Sequence, residues 1–195
     1  MQNLTGKRAL ITGSFQGIGL AIAESLGAQG AHVIIHGLGD EKVVNHAIDQ
    51  VRKAGASSVQ AIVSDLKDFS ATEKFIQELL QHGPIDILVN NAGIQHTALI
   101  TEMPREKWND IIAVNLSAMF DTIRLLMPHM IQSGYGRIIN IASVHGLVAS
   151  VAKAPYVAAK HGVVGLTKVA ALECANKGTP EAGGVTAKSI SPGWV

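Results

Sequence analysis

The stretch RALITGSFQGIGLAIAESLGAQG, residues 8–30, decides the fold. It opens with a short apolar run of strand length, RALIT (8–12). A turn holding Gly13, Gly17 and Gly19 follows, and apolar residues then recur at helical period over about 17–29. Glycines between a buried strand and an amphipathic helix let the backbone turn tightly and approach a ligand closely. The helix N-terminus behind them offers unpaired N–H groups to a pyrophosphate. The spacing is G-x-x-x-G-x-G, distinct from the commoner G-x-G-x-x-G. It also lacks the Lys-Ser/Thr ending of a P-loop, which argues against triphosphate hydrolysis.

Working outward, the same alternation continues. Strand-like runs occur at HVIIH (32–36), VQAIV (59–63), IDILVN (85–90), RIINIA (137–142) and VTAKSIS (185–191). Helical periods lie between them at about 41–54, 70–81, 105–133 and 155–177. The first four strands are nearly continuous apolar runs, as expected for parallel strands covered on both faces. The pattern predicts right-handed crossovers and a doubly wound, Rossmann-like α/β sheet of about six parallel strands with helices on both faces. No repeat or linker marks a second domain, so residues 1–195 read as one dinucleotide-binding domain.

Apolar residues make up 47% of the chain and charged residues 16%, which suits a well-buried globular protein and not a disordered one. A net charge of +1, with basic residues scattered, provides no electrostatic case for nucleic acid or an anionic membrane. The longest apolar stretches are strand-length or amphipathic, so no transmembrane segment is expected. The first residues run straight into a strand without the apolar core of a signal peptide, and the chain reads as cytoplasmic. The single cysteine, Cys174, excludes an intrachain disulfide framework and a multi-cysteine metal site; its helical setting predicts a small core residue.

In such a sheet, ligands bind beyond the carboxyl ends of the strands, near the point where strand order reverses. Five stretches rich in glycine or polar residues share that rim: TGSFQGIG, SDL, NNAG, SVHG and SPGW. After the second strand, His36-Gly37-Leu38-Gly39-Asp40, the position where NAD enzymes carry an acidic side chain falls on Gly37. No Arg or Lys follows before Lys42, and Gln16 in the glycine turn is uncharged, so nothing balances a 2′-phosphate. NAD is therefore expected over NADP.

The segment APYVAAKHG (154–162) places Tyr156 and Lys160 one turn apart on one face, directly after Pro155. Proline suits the first turn of a helix. Tyr156 then sits at the positive end of the helix dipole with an ammonium beside it. Both favour the phenolate of a group that ordinarily titrates near about 10, making Tyr156 a candidate general acid/base for carbonyl and alcohol interconversion. Ser143, at the end of the fifth strand, is placed to hydrogen-bond a substrate oxygen. Asn115, polar within IIAVNLSAMF, is either a local helix irregularity or a link to Lys160 through water.

TGSFQGIG, NNAG, Asn115, Ser143, Tyr156-x-x-x-Lys160 and Pro192-Gly193 together resemble the short-chain dehydrogenase/reductase family, in the family's order and over essentially the whole chain. The resemblance implies an NAD(P)-dependent oxidoreductase. Asn115, Ser143, Tyr156 and Lys160 would be its catalytic residues. Tyr156 would be the base, Lys160 the cation that lowers its pKa, Ser143 the binder of the substrate oxygen and Asn115 the holder of a relay water. Cofactor contacts would come from Gly13, Phe15, Gln16, Gly17, Ile18, Gly19, Asp65, Leu66, Asn91, Ala92, Gly93, Tyr156, Lys160, Pro192, Gly193 and Val195, with no metal.

Gln95, His145 and Lys153 surround the Ser-Tyr pair with donors, which suits a small carboxylate held at one end. With HGLVAS and PGW, this resembles the members of the family that interconvert D-3-hydroxybutyrate and acetoacetate. Gln95, Ser143, His145, Lys153, Tyr156 and Trp194 would then form the substrate site. Reduction of another small ketone or a 3-oxoacyl substrate, and a non-catalytic dinucleotide-binding module, remain the other readings. The chain ends at Ser-Pro-Gly-Trp-Val, where the family pattern continues with a Thr, a substrate lid, a last helix and a seventh strand; it therefore reads as truncated, with turnover reduced. Lys188 stands where the family commonly has Asn. The retained helices at 105–133 and 155–177 imply a homodimer or homotetramer.

Overall fold

A computed structural model describes residues 3–178 and 183–193. Its strands are β1 (Arg8–Ile11), β2 (His32–Gly37), β3 (Ser58–Val63), β4 (Ile87–Asn90), β5 (Tyr135–Ile141) and β6 (Gly184–Ile190). All pair in parallel, in the spatial order β3-β2-β1-β4-β5-β6. The helices are α1 (Gly17–Gly27), α2 (Glu41–Ala54), α3 (Phe69–Gln81), α4 (Arg105–Ile112), α5 (Ala118–Ser133) and α6 (Ala154–Cys174). The doubly wound sheet expected from the alternation is the one observed. Strand order reverses between β1 and β4, which opens a crevice at their carboxyl ends.

Period-two alternation along the strands distributes the core between the two faces. Leu10, Ile34, Leu88 and Ile138 pack with Phe75, Ile76 and Leu79 of α3 and with Leu126 and Met130 of α5. Ile11, Val33, Ile35 and Val89 face the other way, against Ala23 of α1 and Ala47 and Val51 of α2. Local signals start and stop the helices. The Asp40 carboxylate accepts from Val43 N–H at 3.0 Å to cap α2, and the helix ends at Gly55 with φ +114°. Asp68 caps α3 in the same way, accepting from Ala71 N–H at 3.1 Å.

Two expectations need correction. The first four strands are not all covered on both faces: β3 is an edge strand that alternates between exposed and partly buried, and Val63 is 57% exposed. The helix expected over 105–133 is broken by a π turn, Ala113–Ser117, between α4 and α5. By length and composition alone, Arg105–Ser133 is long and apolar enough to cross a membrane. Here Val114, Ala118, Met119, Ile123, Leu126 and Met130 of that segment are buried in the fold's core. Cys174 is buried at the end of α6, as expected of a core residue. Lys188 of β6, paired in register with Ile139 of β5, is exposed.

Candidate active site

Thr12, directly after β1, ties the glycine turn to the loop after β4. Its Oγ1 accepts from the N–H groups of Asn91 at 3.0 Å and Ala92 at 3.1 Å. Asn91 answers through its side-chain amide, which donates to the carbonyls of Thr12 at 3.0 Å and Gly13 at 2.8 Å. Gly13 has φ +62°, and a Cβ there would lie 2.7 Å from Cα of Ala92. A Cβ on Gly19 would lie 2.5 Å from Nδ2 of Asn91. These glycines are thus required first by the packing of the turn on the NNAG loop, a reason the motif alone did not reveal. The first turn of α1 carries no side-chain cap from Gln16 and no acidic residue, and its Ile18 lines the crevice.

Two cavities meet in that crevice. The larger, about 530 Å³, runs from Gly13, Phe15 and Gln16 past His36 to Ser64, Asp65 and Leu66. The smaller, about 350 Å³, is lined by Gln95, Ser143, Tyr156, Lys160, Pro192 and Gly193, among others. Ile18, Asn91, Gly93 and Ile94 line both, so they form one continuous cleft. The glycine turn lines the larger cavity, the shared residues Asn91 and Gly93 lie where the two cavities meet, and the Ser143, Tyr156 and Lys160 side chains line the smaller one.

At the smaller end, Ala154 and Pro155 are the first two residues of α6, and Tyr156 occupies its first turn. Lys160 is 3% exposed; its Nζ donates to the Ile141 carbonyl at 2.7 Å and lies 5.6 Å from the centroid of the Tyr156 ring. Burial pushes its ammonium down to about 8 from the ordinary 10.5. Ser143 lies two residues past the end of β5 and caps a short 3₁₀ turn, Val144–Gly146. Its Oγ accepts from the His145 N–H at 3.2 Å and lies 3.5 Å from Nδ1 of His145. The His145 ring meets the Tyr156 ring edge-on, with centroids 5.9 Å apart. Val144 N–H donates to the Pro192 carbonyl at 2.8 Å, holding the loop after β6 against the site.

Asn115 is both irregular and engaged. It sits in the π turn, fully buried, where its Oδ1 accepts from Ile94 N–H at 2.8 Å and its Nδ2 donates to the Ile94 carbonyl at 2.9 Å. A Cβ on Gly93 would lie 3.6 Å from Asn115 Oδ1 and 3.8 Å from Lys160 Nζ, so both side chains face the same narrow space. Beneath them runs a buried chain of hydrogen bonds. Thr122 Oγ1 donates to Asn90, Asn90 Nδ2 to Asn140, and Asn140 Nδ2 to Thr167 Oγ1, at 2.8, 2.9 and 2.9 Å.

The structure brings together the tyrosine, lysine, serine and asparagine expected from sequence, and lines the smaller cavity with Gln95. His145 stands behind Ser143 and Tyr156. Lys153 occupies the N-cap position of α6 and is not among the residues lining the smaller cavity. Trp194 and Val195 lie outside the described residues. Sequence reasoning missed Thr12, His36, Ser64 and Val114; Thr12 is braced at the end of β1, and the other three line the larger cavity. Thr12 and Ser64 lie within the rim stretches TGSFQGIG and SDL, and strand register then fixes Ser64 beside β2, since Gly37 pairs with Val63.

A parallel sheet of this order, a glycine turn at its switch point and a Ser-Tyr-Lys group at the end of the same cleft define a nucleotide-dependent dehydrogenase fold. The profile described as short chain dehydrogenase matches residues 7–195, and this chain belongs to that family. It is 49% identical to D-beta-hydroxybutyrate dehydrogenase of Cupriavidus necator, across 98% of this chain and 72% of that protein. It is 47% identical to the D-beta-hydroxybutyrate dehydrogenase of Rhizobium meliloti, across 97% and 71%. A 3-oxoacyl-acyl-carrier-protein reductase of Staphylococcus aureus is 36% identical across 97% and 74%. Among solved structures, a protein of Sinorhizobium meliloti described as a short-chain alcohol dehydrogenase superposes with a TM-score of 0.88 at 29% identity, covering 98% of this chain and 73% of that one.

Proposed function

We propose that this oxidoreductase is NAD-dependent and interconverts D-3-hydroxybutyrate and acetoacetate. The observation that carries the reading is that Ser143, Tyr156, Lys160 and Gln95 line one small cavity, which shares Ile18, Asn91, Gly93 and Ile94 with the larger cavity at the glycine turn. The similarity to two D-beta-hydroxybutyrate dehydrogenases at 49% and 47% identity supports the choice of substrate. A bound nicotinamide dinucleotide supplies the acceptor for the hydrogen and electron pair leaving C3 of the hydroxy acid.

The chain's own groups handle the oxygen and its proton. Ser143 Oγ holds the substrate oxygen beside Tyr156, which takes the hydroxyl proton as the C3–O bond becomes a ketone and returns it in the reverse direction. The buried Lys160 Nζ lies 5.6 Å from the centroid of the Tyr156 ring, on the same side of the small cavity. Gln95 and His145 offer hydrogen bonds to a carboxylate at the far side, with Lys153 the outermost candidate for the same group. The pro-NAD reading rests on the larger end of the cleft, where Lys67 is already drawn toward Asp65 and Asp110, 3.8 and 3.6 Å away. A homodimer or homotetramer is the assembly we infer, because Phe120 of α5 and Val169 and Leu172 of α6 are exposed apolar side chains on long helices.

The 36% identity to a 3-oxoacyl reductase favours a second reading, reduction of a 3-oxoacyl thioester. The polar lining contributed by Gln95, Ser143 and Tyr156 favours the small acid. NADH formation from NAD with D-3-hydroxybutyrate, its L-isomer and an acetoacetyl thioester in the reverse direction separates the two. Turnover confined to the D-acid supports the proposal; turnover confined to the thioester overturns it.

A further inference from the structure

The buried stripe of α6 is apolar with two exceptions. Val163, Ala170 and Cys174 are buried at helical spacing, and Lys160 and Thr167 lie on the same stripe, two turns apart. Both exceptions bond to neighbouring residues of β5. Lys160 Nζ donates to the Ile141 carbonyl at 2.7 Å, and Thr167 Oγ1 accepts from Nδ2 of Asn140 at 2.9 Å. The Thr167 hydroxyl in turn donates to the Val163 carbonyl at 2.7 Å, which holds the side chain in one orientation.

Apolar packing alone does not fix a helix along its axis, because burial is non-directional. A hydrogen bond has a length and a direction, and a fully satisfied buried network specifies one arrangement. Every side-chain polar atom of Thr122, Asn90, Asn140 and Thr167 has a partner, so the chain is complete from α5 through β4 and β5 to α6. Close approach then makes the place of α6 matter. A Cβ on Gly146 would lie 2.8 Å from the Lys160 carbonyl, so the turn capped by Ser143 rests on the α6 backbone. A Cβ on Gly162 would lie 2.9 Å from Leu116, in the π turn that carries Asn115. A shift of α6 is therefore felt at both.

We propose that Thr167, acting through Asn140, is a positioning residue for Lys160. Its hydroxyl fixes α6 on β5 so that Lys160 Nζ stays at the Ile141 carbonyl, 5.6 Å from the centroid of the Tyr156 ring. Thr167 lines neither cavity of the cleft, so it acts on the reaction only through the groups that α6 carries. Its bearing on turnover rests on the reading of Tyr156 and Lys160 as the reacting end of the proposed dehydrogenase.

The test compares Thr167→Val, which keeps the shape and loses the hydroxyl, with Thr167→Ser, which keeps the hydroxyl. Two readouts are taken on the full chain. One is kcat and KM for D-3-hydroxybutyrate with NAD; the other is the ε-methylene resonance of Lys160, identified by its loss in Lys160→Met. For Thr167→Val, kcat should fall about 5- to 50-fold with KM for the acid unchanged, the mark of reacting groups moved out of line. The Lys160 resonance should move toward those of the exposed lysines. Thr167→Ser should return both readouts most of the way to the wild type. A folded Thr167→Val with kcat and the resonance unchanged would overturn the inference. So would equal losses in Thr167→Val and Thr167→Ser, which would make the size of the side chain, and not its hydroxyl, the operative feature. A wild-type chain that binds NADH but leaves the acid unconverted would overturn the substrate reading alone, and the Lys160 resonance then decides the positioning role. If Thr167→Val does not fold, Thr167→Cys, whose thiol accepts only weakly, is measured in its place with the same expected and overturning results.

Discussion

At the catalytic end of the cleft, the buried polar groups hold one another. Lys160 donates to the Ile141 carbonyl, Asn115 makes two bonds to Ile94, and Asn90, Asn140 and Thr167 form a closed chain beneath. At the other end, the ring nitrogens of buried His36 and Oγ of partly buried Ser64 have no hydrogen-bond partner among the described residues. The contrast separates two requirements. Groups that must hold a reacting atom are fixed in advance by neighbours, because preorganisation avoids rearrangement during the reaction. His36 and Ser64 are held by strand position and packing instead, the His36 ring against Phe75, and their unpaired polar atoms cost stability.

The comparison can be broken at either end. The largest effect should follow Tyr156→Phe, which removes the proton carrier and leaves the cleft intact. Turnover should fall about 10²- to 10⁴-fold, with the Kd for NADH unchanged; a variant that keeps its rate would remove Tyr156 from the chemistry. Next is the cost of the buried lysine. With a folded pKa of about 8 against 10.5, the unfolded chain binds more protons than the folded one between those values, so stability rises with pH across that window. Lys160→Met lacks this proton. Wild-type stability measured against it should therefore increase by about 1–3 kcal/mol from pH 7 to pH 10.5 in urea unfolding. A difference that stays flat with pH would mean that the ammonium is not desolvated.

Asn140→Ala cuts the chain of hydrogen bonds that joins β4, β5 and α6, and should destabilise the protein by about 1–3 kcal/mol through the amides and hydroxyl left unpaired. It should also lower turnover more than nucleotide affinity, because the chain lies under the catalytic end; equal losses in both would show that the two ends are not separable. The smallest change is expected from Gly37→Ala. Its methyl group would press on Phe15, an overpacking cost of about 1 kcal/mol. Adding Phe15→Ala should recover that stability, and failure to do so would locate the strain elsewhere.

Much of this was legible in the sequence because it depends on local chemistry. The run RALI followed by three glycines and an apolar helical period, the Asp40 and Asp68 caps, and Pro155 ahead of Tyr156 each act within a few residues. Helical spacing alone put Tyr156 and Lys160 on one side of α6. Continuous apolarity, however, could not distinguish the edge strand β3 from its covered neighbours, since that difference lies in what packs on a strand. The π turn at Asn115 was likewise invisible to a 3.6-residue period, because it is set by the asparagine's two bonds to Ile94, twenty-one positions earlier.

The chain's sequence by itself determined the doubly wound parallel sheet, the glycine turn that opens it and the Tyr156–Lys160 pair, all of which follow from hydrophobic period and short-range spacing. Only the tertiary structure decided which buried groups are satisfied and which are not. Asn91 turned out to brace the glycine turn, Phe15 to fill the space at Gly37, and the ring nitrogens of His36 with Oγ of Ser64 to lack a partner among the described residues. The physical reason is that hydrogen-bond satisfaction is a property of contacts across strands and loops far apart in the chain, and residue type at a position carries no record of them.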